Sequence, residues 1–324
     1  MTLLWNRHIM LLLTFLLILS IPVKMVIAGE KPRIRFAFQN RIGSALPIIA
    51  VKKGFFSDGG VAVEALRFSS GPACAEALYS GAADIGGMGD TTALIMAARS
   101  EKFVIVASHA TGEHRHRVMV RKNSGILALA DLKGKRLGVK KGTSTYGGLL
   151  TALQKAGIAR GDIHMMDLTP PIMPDALMAG SLDAFAASEP TPSAAAQKGA
   201  VQLTTLGNLG NVYPILILAD KAVILHQGGA VRRFLGAMAA AARYVAEHPG
   251  ETAEIMSAET GLPLSTTRQA IGRHEYRLRL DGEILSSLKQ TALFLKGQNI
   301  INKVPDFNLA VKSVFPESIP TWKR

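Results

Sequence analysis

Short apolar runs alternate with longer amphipathic segments along most of the chain. Runs of four to eight mainly apolar residues predict strands at 33–38, 61–68, 103–110 and 116–122, and the segment 83–89 is predicted to be a short strand or a loop. Apolar residues at helical spacing follow several of these runs, at 45–54, 72–81 and 90–100. Repeated strand-loop-helix units build mainly parallel sheets covered by helices. The pattern therefore predicts an α/β fold.

The alternation starts again in the middle of the chain. Further strands are predicted at 133–140, 162–168, 181–188 and 213–220, and further helices at 146–157, 174–180, 189–199 and 230–248. Beyond residue 220 the pattern is mainly helical. A chain of 324 residues is longer than one compact core usually organises, so two lobes are expected.

An internal repeat supports two similar lobes. The segments "ALYSGAADIGGMGD" (77–90) and "ALMAGSLDAFAASE" (176–189) match at an offset of 99 residues, which also carries Gly43-Ser44 onto Gly142-Thr143. One interpretation is a single structural unit used twice, with its matching residues kept for packing. The other is that equivalent loops face one cleft, because ligands of open α/β sheets bind beyond the carboxyl ends of the strands.

The N-terminus has the pattern of a secretory signal. A basic start precedes the apolar run 9–20, and small residues precede a cleavage site at Ala28–Gly29. The alternative is an uncleaved membrane anchor, but the run is short and Pro22 and Lys24 interrupt it. We expect residues 1–28 to be a signal peptide and the protein to be exported to the periplasm.

Composition indicates which classes of molecule this protein could bind. The formal net charge is +13, which favours anionic partners, yet no run of five basic residues indicates a nucleic-acid arm. Cys74 is the only cysteine, so no disulfide forms within the chain and no cysteine after the signal can carry a lipid anchor. The surroundings of Cys74 are apolar, which predicts a buried thiol and not a nucleophile.

The loop at Gly142–Thr145 is the first candidate binding element. It is not a nucleotide-hydrolase phosphate loop, because Lys140 and Lys141 precede the glycine where that motif needs a later lysine. Hydroxyl residues at a predicted helix N-terminus either bind an anion through free N–H groups or simply cap the helix. Gly with Ser or Thr recurs between a strand and a helix at 39–44, 69–72 and 89–92.

Three charged residues accompany these loops. Arg41 either adds a charge-assisted fork for an oxyanion or is solvated. Asp90 is expected to cap the helix that follows it, whereas the position of Glu189 before Pro190 is less easily explained by local structure. Either acid could instead accept hydrogen bonds from an amine on a ligand.

Enzymatic and metal chemistry find little support. His109, His114 and His116 lie close in sequence, and the last two are expected on one face of a strand, but no cysteine or carboxylate pair completes a metal site. The serines of the candidate loops have no evident base partner. We therefore expect no metal, no cofactor and no catalysis.

Three segments together resemble a known family. They are "GFFSDGGVAVEALRFSSGPACAEALYSGAADIGGMGDTTALI", "DLKGKRLGVKKGTSTYGGLLTALQKAGI" and "ALMAGSLDAFAASEP", and they resemble the periplasmic substrate-binding proteins of nitrate/sulfonate/taurine ABC importers over roughly residues 33–315. The resemblance implies a type II-like periplasmic binding fold with two lobes joined by two crossover strands. By this analogy lobe 1 comprises 29–118 plus 217–324, and lobe 2 comprises 119–216.

The resemblance also implies a ligand site. The family's ligand loops correspond here to Gln39, Arg41, Gly43, Ser44, Ser69, Ser70, Gly71, Gly89, Asp90, Thr91, Gly142, Thr143, Ser144, Thr145 and Glu189. Many relatives have an aromatic residue where this chain has Ser188, and relatives that bind a thiamine-precursor pyrimidine carry a cysteine-rich segment that this chain lacks. A wider or more polar pocket is therefore expected.

These observations predict a function. We expect a monomeric periplasmic receptor that closes on a small anionic organic solute, such as a sulfonate, and delivers it to an ABC permease and its ATPase subunit. Two alternatives stay open at this point. One is a biosynthetic or hydrolytic enzyme on the same fold, and the other is a sensor or partner-binding module with no transport role.

Overall fold

The computed structural model describes residues 31–312. The predicted signal peptide, 1–28, lies outside the described residues, as do residues 313–324. Within the described part the chain forms two five-stranded sheets with helices around them. This arrangement confirms the predicted α/β class. No helix between residues 31 and 312 is both long and apolar enough for a membrane crossing.

The first sheet has the strand order β2-β1-β3-β10-β4. Its strands are β1 (Arg33–Gln39), β2 (Ala62–Phe68), β3 (Ile85–Gly89), β4 (Phe103–Ala110) and β10 (Ile215–Asp220). β1 pairs in parallel with both β2 and β3, whereas β10 is antiparallel to β3 and β4. The sheet is therefore mostly parallel, with one reversed strand that arrives from the other half of the chain.

The second sheet repeats this design with the order β7-β6-β8-β5-β9. Its strands are β5 (His116–Arg121), β6 (Arg136–Val139), β7 (His164–Asp167), β8 (Ala184–Ser188) and β9 (Ala200–Thr205). Here β5 is the reversed strand. β3 and β8 occupy equivalent positions, and their bounds differ by the 99 residues of the sequence repeat. The repeat therefore corresponds to equivalent elements of two similar sheets.

Twelve α-helices lie within the described residues. In chain order they are α1 (Ala45–Lys52), α2 (Phe55–Asp58), α3 (Gly71–Tyr79), α4 (Asp90–Arg99), α5 (Ser144–Lys155), α6 (Met173–Met178), α7 (Thr191–Gln197), α8 (Lys221–Glu247), α9 (Pro249–Thr260), α10 (Leu264–Ile271), α11 (Gly282–Gly297) and α12 (Phe307–Ala310). The aromatic rings of Phe36 on β1 and Phe234 on α8 pack edge to face at 4.8 Å between centroids. Contacts of this kind attach the C-terminal helices to the first sheet.

The chain passes between the sheets twice. It leaves the first sheet after Ala110 and enters the second at His116, and it returns between Thr205 and Ile215. The lobe limits predicted at 118/119 and 216/217 lie a few residues inside β5 and β10. The division of the chain into these two lobes stays a prediction. Each crossing contributes the strand that runs against its new neighbours.

One element was missed and two local predictions were wrong. β9 was not anticipated, because its residues are mostly exposed or half-buried and show no apolar run. α8 begins at Lys221, nine residues before the predicted start, with non-helical backbone angles at Gln227 marking a kink. His114 does not share a strand face with His116, since it lies in the 3-10 turn Glu113–Arg115 that precedes β5.

Candidate functional site

A cleft between the two sheets is the candidate binding site in the described part of the chain. Its volume is about 450 Å³. One side includes residues at or just after the ends of strands of the first sheet, among them Gln39, Arg41 and Ser70. The other consists of residues that follow strands of the second sheet, including Thr143 and Glu189. The cleft thus lies beyond the carboxyl ends of strands from both sheets, where open α/β folds bind ligands.

Arg41 supplies a positive charge to this cleft without a compensating acid. Its guanidinium forms no ion pair or hydrogen bond with any residue between 31 and 312, and its Nε is buried and unpartnered. Burial lowers the pKa of Arg41 to about 10, which leaves the group charged at neutral pH. A buried, unpaired charge is costly unless a ligand of opposite sign compensates it. The arrangement therefore favours an anion.

Two helix N-termini face the same cleft. Ser70 is the N-cap of α3 and its hydroxyl accepts from the N–H of Ala73. Thr143 is the N-cap of α5 and its hydroxyl accepts from the N–H of Tyr146. Both hydroxyls therefore act as caps, one of the two roles considered for such loops. The remaining first-turn N–H groups and the positive ends of the helix dipoles stay available to an anion.

Glu189 lies in a different environment on the second side of the cleft. Its side chain is fully buried, and its Oε1 is 2.7 Å from Nη2 of Arg117 and 3.7 Å from Nε of Arg273. Neither carboxylate oxygen accepts a hydrogen bond of good geometry, although the distance to Arg117 is that of an ion pair. The nearby Ser188 hydroxyl is also buried and unpartnered. This wall of the cleft thus has buried polar atoms without a full set of hydrogen-bond partners.

Other pairings neutralise the remaining charges of the cleft. Arg67 is ion-paired with Glu259, which also pairs with Lys52 at 2.6 Å. Lys140 lies 3.1 Å from an oxygen of Asp167. Among the described residues that line the cleft, Arg41 is therefore the basic side chain without an acidic partner.

Direct contacts join the two halves beside the cleft. The Thr92 hydroxyl on α4 donates to the carbonyl of Gly142 at 2.8 Å. Gly89 lies so close to Ser144 that a methyl group on Gly89 would overlap the Ser144 hydroxyl. The turns that precede α4 and α5 therefore approach each other at their backbones, and residues without large side chains make this approach possible.

The residues implied by the family resemblance divide into two groups. The residues that line the cleft are Gln39, Arg41, Ser69, Ser70, Gly71, Thr143, Thr145 and Glu189. The residues that lie behind it or at the contact between the halves are Gly43, Ser44, Gly89, Asp90, Thr91, Gly142 and Ser144. Their role in binding a ligand stays a prediction.

Asp90 belongs to the second group and is not the N-cap that the sequence predicted. It follows the N-cap Gly89 as the first residue of α4 and is fully buried. Its carboxylate accepts from the N–H of Thr91 and, at 2.7 Å, from the side-chain amide of Asn211. Asn211 lies on the second crossing between the sheets. Asp90 thus ties α4 to that crossing.

The three histidines also occupy different environments. His109 is fully buried at the end of β4, and burial lowers its pKa to about 3. His114 is exposed and lies 3.0 Å from the Thr205 hydroxyl. His116 is buried between Arg115 and Thr145. No cluster of three metal-ligating side chains occurs among residues 31–312.

Several cleft residues carried no sequence signal. Phe68, Pro170, Pro171 and Pro174 form apolar parts of the lining, and Leu262 comes from the turn between α9 and α10. None belongs to a binding motif, and Leu262, like Thr260, lies far along the chain from the rest of the lining. Only the packing of the C-terminal helices against the first sheet brings it to the cleft.

Comparison with solved structures identifies the fold. The alkanesulfonate-binding protein SsuA from Xanthomonas axonopodis pv. citri, bound to MOPS, superimposes with a TM-score of 0.80 at 24% identity, covering 88% of this chain and 99% of that one. The desulfurization enzyme DSZB has the same fold, with a TM-score of 0.66 at 15% identity, covering 87% of this chain and 96% of that one. These similarities establish the two-lobed fold of periplasmic binding proteins.

Sequence comparison finds binding proteins. A "Putative aliphatic sulfonates-binding protein" of Escherichia coli (strain K12) is 30% identical over 61% of this chain, and the match spans 62% of that protein, less than two thirds of its length. A protein of the same description from Bacillus subtilis (strain 168) is 27% identical over 87% of this chain and 86% of its own length. The model of the family "NMT1/THI5 like" matches residues 43–252. The chain therefore belongs to the NMT1/THI5-like family, in which its relatives include sulfonate-binding proteins.

Proposed function

We propose that this protein is the solute-binding component of an ABC importer and that its two lobes close on a small organic anion of the sulfonate class. The observation that carries the proposal is the unpaired guanidinium of Arg41 in a cleft that two helix N-termini also face. A sulfonate is a fixed anion that only accepts hydrogen bonds, which suits a guanidinium and free N–H groups.

The relatives support this choice of ligand. Two are described as aliphatic-sulfonate-binding, and the E. coli "Taurine-binding periplasmic protein" is 29% identical over 45% of this chain. The Xanthomonas structure holds MOPS, which is itself a sulfonate. The apolar lining from Phe68 and the three prolines suits the organic part of such a solute.

Calorimetry against a panel of ligands tests the proposal. The panel contains alkanesulfonates of increasing chain length, taurine, MOPS, the matching carboxylates, nitrate and a pyrimidine. We expect sulfonates to bind and the carboxylates to bind more weakly. Absence of binding by every sulfonate, with circular dichroism showing folded protein, would contradict the proposal.

Two arginines of the same cleft provide a matched pair of variants. Arg41→Met removes the unpaired charge, and we expect sulfonate affinity to fall about 10- to 100-fold, the range of a charge-assisted hydrogen bond. Arg67→Met removes a charge already paired with Glu259, which keeps Lys52 as a partner. Its affinity should change less than threefold. Equal losses in the two variants would remove Arg41 as the anion-binding group.

Delivery to a permease distinguishes transport from the two alternatives. A receptor releases its solute unchanged, so mass spectrometry after incubation should recover the intact sulfonate, whereas an enzyme would produce a new species. Uptake of labelled sulfonate by cells that contain the permease encoded beside this protein's gene should require this protein. Export is tested separately, since N-terminal sequencing of the periplasmic protein should begin at Gly29.

A further inference from the structure

Three side chains form a buried chain of hydrogen bonds from the first crossing to the cleft. Arg115 and His116 are almost completely buried. Nε of Arg115 donates to Nε2 of His116 at 3.1 Å, and Nδ1 of His116 lies 2.7 Å from Oγ1 of Thr145. Thr145 is in the first turn of α5 and lines the cleft. The chain therefore ends at the candidate ligand site.

The first bond determines the tautomer of His116. An arginine N–H can only donate, so Nε2 of His116 must be the acceptor and carry no proton. Burial lowers the pKa of Arg115 only to about 9, so Arg115 remains charged at neutral pH. Burial, together with the charges of Arg115 and Arg41, holds the pKa of His116 well below its usual value. His116 is therefore neutral, with its proton on Nδ1.

The tautomer in turn determines what Thr145 can do. Because Nδ1 of His116 carries the proton, it donates to Oγ1 of Thr145 and occupies a lone pair of that oxygen. The contact with His116 is the side-chain hydrogen bond of Thr145 among residues 31–312, so its hydroxyl proton has no acceptor there. The hydroxyl proton is therefore free to donate to a ligand in the cleft, while one of the two lone pairs of the oxygen is already occupied.

We propose that Arg115 and His116 are positioning residues that commit the Thr145 hydroxyl to donate a hydrogen bond to the anionic head group of the ligand. This inference rests on the proposed function, because it assigns a donor to the same anion site. It also predicts selectivity: a sulfonate, which only accepts, should bind better than the neutral sulfonamide of equal size, which presents N–H groups to an oriented donor.

Four single variants and one double variant test the chain of hydrogen bonds by calorimetry with one alkanesulfonate. His116→Leu and Thr145→Val should each weaken binding about tenfold, and the double variant should be no weaker than either single variant, because both remove the same hydrogen bond. His116→Asn places an amide N–H near the position of Nδ1 and should recover most of the affinity. His116→Gln places its amide near Nε2 and is the matched control, with no recovery.

The outcomes separate this inference from the proposed function. If the wild-type protein binds no sulfonate, the proposed function fails. If the wild type binds but His116→Leu leaves its affinity unchanged, or the losses of the two single variants add, the inference fails. Equal affinities of His116→Asn and His116→Gln would also overturn it.

A measurement without ligand provides a second test. Nitrogen-15 NMR of the wild-type protein distinguishes the two histidine tautomers, and we expect His116 to carry its proton on Nδ1. A proton on Nε2, or on both nitrogens, at neutral pH would overturn the inference even if the His116 variants do not fold.

Discussion

Arg41 and Glu189 differ in how completely other side chains satisfy them. The Arg41 guanidinium has no acidic partner among the described residues, whereas Glu189 has two arginines within 4 Å. A group without a partner depends on a ligand for compensation, so Arg41 is the stronger candidate for direct contact with an anion. Glu189 is as much a partner of Arg117 as a feature of the cleft.

Gly142 gives the loop Gly142–Thr145 a backbone conformation that favours glycine. Its φ is +74°, a conformation that residues with a side chain rarely adopt, and its carbonyl accepts from Thr92. Gly142→Ala should therefore lower the free energy of unfolding by about 1 kcal/mol, measured by urea denaturation.

The same exchange at Gly236 is the control. Gly236 lies inside α8, has no positive φ, and has open space where a methyl group would be placed. Gly236→Ala should raise the free energy of unfolding by up to about 1 kcal/mol, because alanine favours the helix. A loss at Gly236 as large as that at Gly142 would contradict the backbone explanation.

At the scale of elements, each sheet contains the same side-chain clasp, in which an arginine on one strand binds an aspartate that precedes the neighbouring strand. Arg35 on β1 donates to Asp84 just before β3, through its backbone N–H and two guanidinium N–H groups. Arg136 on β6 donates to Asp183 just before β8 in the same way. The two aspartates follow the offset of 99 residues of the repeat, whereas the two arginines differ by 101, so the clasp recurs with a small shift of its arginine. It ties the central parallel strands of each sheet together.

The clasp predicts a pH dependence of stability. Hydrogen bonds from Arg136 lower the pKa of Asp183 to about 2, below the value of about 3.9 in an unfolded chain. The ionised carboxylate therefore stabilises the fold above about pH 4, and this contribution is lost as the pH falls toward 2. The difference in free energy of unfolding between wild type and Asp183→Asn should be constant from pH 7 to 5 and shrink between pH 4 and 2.

Urea denaturation at each pH measures this difference. Asp58→Asn is the control, since the Asp58 side chain has no ion pair among the described residues and should give no such trend. A difference between wild type and Asp183→Asn that persists unchanged at pH 2 would show that the charge of Asp183 is not what stabilises the clasp.

At the scale of the molecule, Gly89 and Ser144 make a close contact between the two halves. Gly89 ends β3 of the first sheet, and Ser144 begins α5 beside the second. The backbone angles of Gly89 suit any residue, so Gly89→Ala should fold normally. Its methyl group would overlap the Ser144 hydroxyl, and we expect sulfonate affinity to fall about tenfold because the halves cannot reach the same separation.

A second substitution tests the cause of that loss. Removing the hydroxyl in Gly89→Ala/Ser144→Ala leaves only a contact of 3.3 Å to the Ser144 Cβ, so most of the affinity should return. Ser144→Ala alone is the reference for any direct role of this hydroxyl in binding. An affinity of the double variant no better than that of Gly89→Ala would show that this contact does not limit closure.

Much of the architecture was predictable because it depends on local patterns. The pattern predicted eight of the ten strands in the described residues and left β3 as a strand or a loop, while the exception, β9, is an edge strand that is mostly exposed or half-buried. The repeat at an offset of 99 indicated two similar units, and the two sheets have equivalent strand orders. Strand bounds shifted by a few residues, since the hydrogen bonds that end a strand depend on neighbours that the pattern does not specify.

The candidate site was predictable in part. Gly with Ser or Thr between a strand and a helix marked the caps Ser70 and Thr143, because capping is a local interaction. The same loops gave no sign that Ser144 would meet Gly89, or that Asp90 would bind Asn211 on the second crossing. These contacts join residues more than 50 positions apart.

The sequence by itself determined the order of the elements, the repeat, the caps and the family, since each depends on nearby residues or on motif order. Tertiary structure alone decided which charges are compensated. Arg67 and Arg41 look equivalent in sequence, yet Glu259 neutralises Arg67 and no described acid neutralises Arg41. It also brought His116 against Thr145. Whether a polar group is free depends on what surrounds it in space, and folding brings those surroundings together from both halves of the chain.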